Sequence, residues 1–354
     1  MVWSEIVFKI HRCWPVGRAS TRAVVGHISL NLYRLAGTLA PPSKRARLFS
    51  AALTVAISSL IGCAFSRGNA KLPAAVPPHE SLPGVKVTTK YEGGVTHFYV
   101  ENHELCEITM TFGLDLSNLE SSVRFPYTAT FPAQEVTEAF ALTPTVSGGE
   151  WEYSYTNYFK LGSNCAQHDD SYVYQLPYAP GSKFKVSQGY NGSFSHKGAN
   201  QYAIDWQMPE GTPVYAARGG VVVKTKDDSS IGGSSIKYDP YNNYVLIRHD
   251  DGTLGHYCHL QKGGVYVRPG DRVVVGQRIA RSGNTGFSSG AHLHFSVFKT
   301  KDGRERVSIP VKFRTSDEQA VTLVEGQRYK SIEVQTASAP AMRAEAKPHA
   351  VVGQ

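Results

Sequence analysis

From Val85 to Tyr178, hydrophobic and polar residues alternate in short runs, as in Val85-Lys86-Val87-Thr88-Thr89, His97-Phe98-Tyr99-Val100-Glu101 and Trp151-Glu152-Tyr153-Ser154-Tyr155. A period of two places successive side chains on opposite faces of a strand, and the breaks between these runs are polar or carry Pro and Gly. Residues 85–178 therefore predict an accessory β-sandwich-like domain. Leu176-Pro177-Tyr178-Ala179-Pro180-Gly181 marks its boundary. Beyond it strand signals continue in Pro213 to Ala217, Gly220 to Val223, Tyr244 to Arg248 and Val273 to Val275, with almost no helical periodicity. Residues 179–315 thus predict a second β-rich domain, and the fold class is all-β. Thr225 to Asn242 is polar and glycine-rich and reads as a surface excursion between two strands. After Phe313 the pattern fades, so residues 316–354 read as a C-terminal extension, largely a disordered tail, Ala/Pro-rich from Thr336 to Gln354.

The other end of the chain follows a different grammar. Lys44, Arg45 and Arg47 precede Leu48 to Gly62, an uncharged and mostly apolar run that ends at Cys63. Such a basic flank and short apolar core read as a secretory signal sequence. Its end, Leu60-Ile61-Gly62-Cys63, resembles the lipobox of bacterial lipoproteins, which implies export, a lipid anchor at Cys63 and a periplasmic place at the membrane. An uncleaved anchor or free secretion are the alternatives. Residues 1–66 form this leader, of which 1–43 read as an over-extended translation start, and 67–84 form a proline- and alanine-bearing linker.

The formal charge of +8 invites a nucleic-acid reading, but its position argues against one. Eight basic residues against one acid, Glu5, precede Cys63, leaving the body nearly neutral. A basic leader on a neutral body points to targeting and excludes a phosphate-binding surface. In an exported protein Cys106 and Cys165 are the natural disulfide pair, with Cys258 a small unpaired core residue.

Histidines carry the candidate chemistry. Six of the thirteen fall between His196 and His294, and His292 and His294 are separated only by Leu293 in Ser282 to Phe295, SGNTGFSSGAHLHF. On a strand, residues i and i+2 share a face about 6.8 Å apart. Two imidazoles so placed can supply two metal ligands, or one ligand and one acid/base group. A catalytic zinc takes three N/O ligands and keeps a position for water, so this set could provide three ligands and two spare histidines. Asp205 lies in an apolar run, where a carboxylate needs a partner. His249 sits at a hairpin and reads as structural. His256 would face away from His259 on one continuous strand.

Several phrases in order make residues from about Gly189 to Phe298 similar to the lysostaphin-type (LytM-like) zinc metallopeptidases, which cut peptide cross-links in bacterial peptidoglycan. They are Ser195-His196-Lys197-Gly198, Tyr202-Ala203-Ile204-Asp205-Trp206, Gly211-Thr212-Pro213-Val214, His256-Tyr257-Cys258-His259-Leu260, Val267-Arg268-Pro269-Gly270-Asp271, Gly276-Gln277 and Ser282 to Phe295. The resemblance implies Zn2+ held by His196, Asp205 and His294. It implies that His259 and His292 flank the attacking water and the substrate carbonyl, one as general base and the other stabilising the oxyanion. Tyr190 is a further candidate for polarising the carbonyl, on position alone. One departure concerns His196: eight residues, Lys197 to Ile204, separate it from Asp205, more than in the usual motif. The expected function is a zinc endopeptidase acting on peptidoglycan stem peptides or cross-bridges. The alternative is a non-catalytic peptidoglycan-binding protein or an activator of another hydrolase. By domain order, the accessory domain could cover the site.

Overall fold

The computed structural model describes residues 8–12 and 84–333. The rest of the leader with Cys63, and the Ala/Pro-rich tail, lie outside the described residues. Among the described residues nearly all regular structure is strand, with two short 3-10 turns, Gly198–Asn200 and Ile236–Tyr241.

The alternating runs of the first part build two four-stranded sheets. Val85–Glu92, Val95–Asn102, Glu135–Pro144 and Leu119–Ser121 form one; Ile108–Ser117, Tyr127–Phe131 and Trp151–Leu161 form the other, joined at its edge by Phe8–Arg12. Along Val95–Asn102 every second residue is buried, the consequence of a period-two pattern with one face on a core. Phe98, Phe112 and Phe140 fill that core, with Phe98 stacked on Phe140 at 4.5 Å and Phe112 edge-on to Phe140 at 5.2 Å.

A nine-stranded sheet dominates the second part. Its centre runs Tyr244–Arg248, Leu254–Cys258, Leu293–Thr300, Ile204–Gln207 and Lys183–Gln188, all antiparallel neighbours. Ile204, Tyr257 and Phe295 share one face, packed with Trp206 and Phe313 in the main core. The opposite face carries Leu254 with Phe298, then His256 with Ser296, then Cys258 with His294.

That second face is shared by two tenants. Cys106 from the accessory domain packs with Val223, Leu246, Leu254 and Phe298. Arg248 donates from Nε to Glu107 at 2.7 Å, Thr300 Oγ1 to the Leu161 carbonyl at 2.6 Å, and Gly303 N to Thr111 Oγ1 at 2.9 Å. The accessory domain is therefore seated on the Phe298 end of the face, four residues or about 14 Å along the strand from His294.

Two expectations need correction. The stretch after Phe313 does not fade: Arg328–Lys330 pairs with Lys183–Lys185, Leu323 is buried in the main core, and the Tyr178 hydroxyl donates to the Tyr329 carbonyl at 2.8 Å. Apolar residues here are too sparse to show a period, yet they complete an otherwise open strand edge. The expected disulfide is not formed either. Cys106 points into the buried cluster, whereas Cys165 is exposed with its Sγ 3.3 Å from Asn164 Oδ1.

His249 is structural. Its Nδ1 lies 3.0 Å from Thr253 Oγ1, and Tyr174 meets its ring at 5.8 Å. Burial, reinforced by the Arg218 charge, pushes its pKa down to about 3, so the folded ring is neutral. An unfolded histidine takes up its proton near pH 6.5. The neutral ring's contribution is thus fully present above about pH 6.5 and is lost as pH falls toward about 3, by up to about 1.4 kcal/mol per unit. Thermal midpoints measured from pH 6.5 to 4 should fall less steeply for His249→Phe than for the unaltered protein; equal slopes would contradict this.

Candidate metal centre and flanking histidines

Antiparallel pairing lines up one cross-strand row: Gln188, Asp205, His294, Cys258 and Tyr244 are successive partners on five adjacent strands. Direct partners project from the same face, so the sheet itself brings Asp205 against His294 although 88 residues lie between them. His294 Nδ1 is 2.8 Å from Asp205 Oδ1. His196 comes from the loop after Gln188 and places Nε2 3.1 Å from the same oxygen. One nitrogen of each histidine and one oxygen of Asp205 all lie within 4.8 Å of one another, and all three residues are buried.

The protons say what this cluster can hold. His196 Nδ1 donates to the Gly189 carbonyl at 2.8 Å, which leaves Nε2 as a bare acceptor. That atom is buried and has no hydrogen-bond partner. An acceptor nitrogen facing an acceptor oxygen at 3.1 Å repels it unless a proton or a cation lies between them. The electrostatics agree: burial pulls the His196 pKa down, but Asp205 outweighs it and the net shift is upward. Burial likewise raises the Asp205 pKa, and His294, His196 and His292 together hold it well below the usual carboxylate range. Two imidazole nitrogens and a carboxylate oxygen fit zinc, which accepts both donor types.

His259 and His292 stand beside this cluster. Their ring centroids are 4.6 Å apart, His259 is 5.7 Å from His294, and His292 Nε2 is 3.9 Å from Asp205 Oδ2. The strand ends at Cys258 and His259 takes φ +61°, a left-handed conformation that breaks the alternation. This kink lets Cys258 and His259, neighbours in sequence, both approach His294. Asn242 Oδ1 accepts from His259 N at 2.8 Å and pins the kink. His259 Nδ1 donates to the Thr285 carbonyl at 2.7 Å, and His292 Nδ1 to the Gly290 carbonyl at 2.7 Å, with Ser288 Oγ 3.1 Å away. Each Nε2 is therefore free to accept a proton. Burial, with His292 and His294 nearby, pushes the His259 pKa down to about 3.

The five residues named as ligands or flanking groups converge, whereas the further candidate Tyr190 does not reach them. His256 is half-buried one row away, with Cys258 Sγ 3.2 Å from its Nε2 and Tyr244 against its ring. Tyr190 points elsewhere: its hydroxyl donates to the Val311 carbonyl at 2.7 Å and accepts from Val311 N at 2.8 Å. The long His196 to Asp205 segment is accommodated by the Gly198–Asn200 turn. Arg306 Nη2 donates to Asn200 Oδ1 at 2.8 Å and Ser308 Oγ accepts from Tyr202 N at 3.0 Å. The polar excursion also returns to the site. Gly232–Gly233 pairs with Gly286–Phe287, so close that a Cβ on Gly232 would collide with the Asn284 carbonyl. Sequence reasoning missed Asn242, Thr285, Ser288 and Arg306. Polar residues in glycine-rich loops carry no period, and only the fold shows which carbonyl meets which ring.

Residues 199–306 match the sequence model of Peptidase family M23. This likeness covers under a third of the chain. The matched span contains Asp205, His259, His292 and His294, with His196 just ahead of it. Over 124 residues the chain is 36% identical to the peptidoglycan DD-endopeptidase ShyA of Vibrio cholerae, covering 34% of this chain and 26% of that protein. Over 136 residues it is 33% identical to the glycyl-glycine endopeptidase ALE-1 of Staphylococcus capitis, covering 38% of this chain and 35% of that one. The chain thus spans about a quarter to a third of these relatives' lengths. Among solved structures, the catalytic domain of lysostaphin from Staphylococcus simulans aligns at 27% identity over 36% of this chain and 87% of that chain, with a TM-score of 0.26.

Tyr190→Phe tests the structural placement of that hydroxyl. It should lower stability by about 1 kcal/mol through loss of the Val311 bridge while leaving bound metal unchanged. A large loss of metal with unaltered stability would return Tyr190 to the site.

Proposed function

We propose that this protein is a zinc-dependent endopeptidase that hydrolyses peptide cross-links in bacterial peptidoglycan. The observation that carries the proposal is the meeting of His196, Asp205 and His294, with a buried imidazole nitrogen left bare, beside two further histidines. Relatives named as peptidoglycan DD-endopeptidase and glycyl-glycine endopeptidase support the substrate class.

In this reading His196 Nε2, Asp205 Oδ1 and His294 Nδ1 hold the metal. Zinc, when bound, supplies an acidified water and polarises a substrate carbonyl. The remaining work falls to side chains of the chain itself. Of His259 and His292, one accepts the proton of the attacking water through its free Nε2 and returns it to the leaving amine. The other takes up a proton from bulk solvent at Nε2 before substrate reacts and donates that N–H to the carbonyl oxygen as charge develops there, keeping the proton. The carbonyls of Thr285 and Gly290 hold both rings in the tautomer this requires. The leader adds a place for the reaction: export to the cell envelope, with a membrane tether at an acylated Cys63. A non-catalytic relative would be expected to lack part of this set, and every member is present here.

Digestion of isolated peptidoglycan with and without a chelator tests the proposal, with release of cross-linked peptides expected only while zinc is bound. Binding to the wall without release would favour the non-catalytic alternative. Asp205→Ala and His294→Ala should lose both zinc and activity. His259→Ala and His292→Ala should keep zinc and lose about 100-fold or more in turnover. Full activity in either of the latter would remove that histidine from the mechanism.

A further inference from the structure

Gln188 shares the cross-strand row with the metal centre but belongs to none of the sequence phrases that point to zinc. It is buried, and all of its hydrogen-bonding capacity is used at the site. Its Nε2 donates to Asp205 Oδ2 at 3.1 Å and to Ser195 Oγ at 2.8 Å. Its Oε1 accepts from Phe194 N at 3.0 Å and Ser195 N at 3.1 Å. Two donors and two acceptors fill the four positions of a primary amide, and the backbone N–H pair fixes which end is oxygen. The NH2 end must therefore face Asp205.

This geometry does two jobs at once. Asp205 presents Oδ1 to both histidine nitrogens because its other oxygen is held by Gln188. The chain just before His196 is tied to that same amide, so the ligand from the loop is set relative to the ligand from the strand. Glu325 completes the arrangement by accepting from Gly189 N at 3.2 Å, next to the carbonyl that holds His196. With eight residues between His196 and Asp205, the direct chain connection cannot fix their separation. The side chain of Gln188 supplies a shorter link.

We propose that Gln188 is the positioning residue of the metal centre, locking Asp205 and the His196 loop into one three-donor set. The proposal rests on the zinc reading above. Groups that orient metal ligands typically change metal affinity about 10–100-fold when removed. Gly192 offers a second handle. A Cβ there would run into Gln188 Cγ and come within 2.8 Å of Cδ, so Gly192→Ala displaces the glutamine without changing it.

The experiment titrates the metal-free full chain with cobalt(II), read by visible absorption, and with zinc in competition with a chromophoric chelator. Gln188→Met should weaken zinc about 10–100-fold and alter the cobalt spectrum, which a residue that only stabilises the fold would leave unchanged. Gly192→Ala should act in the same direction, and the double variant should be no weaker than Gln188→Met alone. Unaltered zinc affinity and cobalt spectrum in Gln188→Met would overturn the proposal, as would fully additive effects of the two changes. If Gln188→Met does not fold, unaltered zinc affinity in Gly192→Ala overturns it equally. An unaltered chain that takes up neither metal would instead defeat the zinc reading itself, and this inference with it.

Discussion

A carboxylate buried in a β-sheet cannot keep its charge unless something replaces water, and Asp205 is such a group. Its surroundings are three imidazoles and one amide, and each of them costs the fold something to bring there. His294 arrives by register, His196 through a loop tied back to Gln188, His292 through a turn closed on Gly290. An imidazole that turns its lone pair toward this carboxylate, as His196 Nε2 does, repels it unless a proton or a cation lies between them. Stability and function are therefore in tension at this point. A proton shared with His196 can resolve it, and under the proposed function zinc would do so instead.

The sheet makes that cluster possible by its two-faced character. One face is an aromatic core around Trp206, Tyr257 and Phe295, which fixes strand register because a one-residue slip would turn every core side chain outward. The other face inherits its alignment from that register without needing a hydrophobic pattern of its own. At one end of this face the row ends in chemistry; at the other the accessory domain covers Leu254 and Phe298. The two four-stranded sheets thus meet this sheet through Glu107, Leu161 and Thr111, away from the five site residues.

Much of this was legible in the sequence, and the parts that were not share a cause. Alternating runs such as His97 to Glu101 give strands directly, because a period of two has only one structural meaning. His292 and His294 could be grouped because a strand puts i and i+2 on one face. His259 joins them for a reason no period encodes, a left-handed residue after Cys258. The sequence argument set His256 on the opposite face from His259, but the strand breaks at His259, and His256 shares the face of His294 one row away. Val321, Leu323 and Tyr329 were overlooked since three spaced apolar residues make no pattern until a strand edge is there to receive them. Gln188 and Thr285 work through single hydrogen bonds to particular atoms, and such bonds exist only in three dimensions.

The central claim is that the donors of one sheet row and one loop, all nitrogen and oxygen, form the metal centre while the thiol beside them in the row stays out of it. Zinc-edge X-ray absorption of the zinc-loaded full-length protein tests this most directly. The account predicts nitrogen and oxygen neighbours at about 2.0–2.1 Å and no sulfur shell. A sulfur neighbour at about 2.3 Å would put Cys258 on the metal and contradict the assignment of His196, Asp205 and His294 as the three donors.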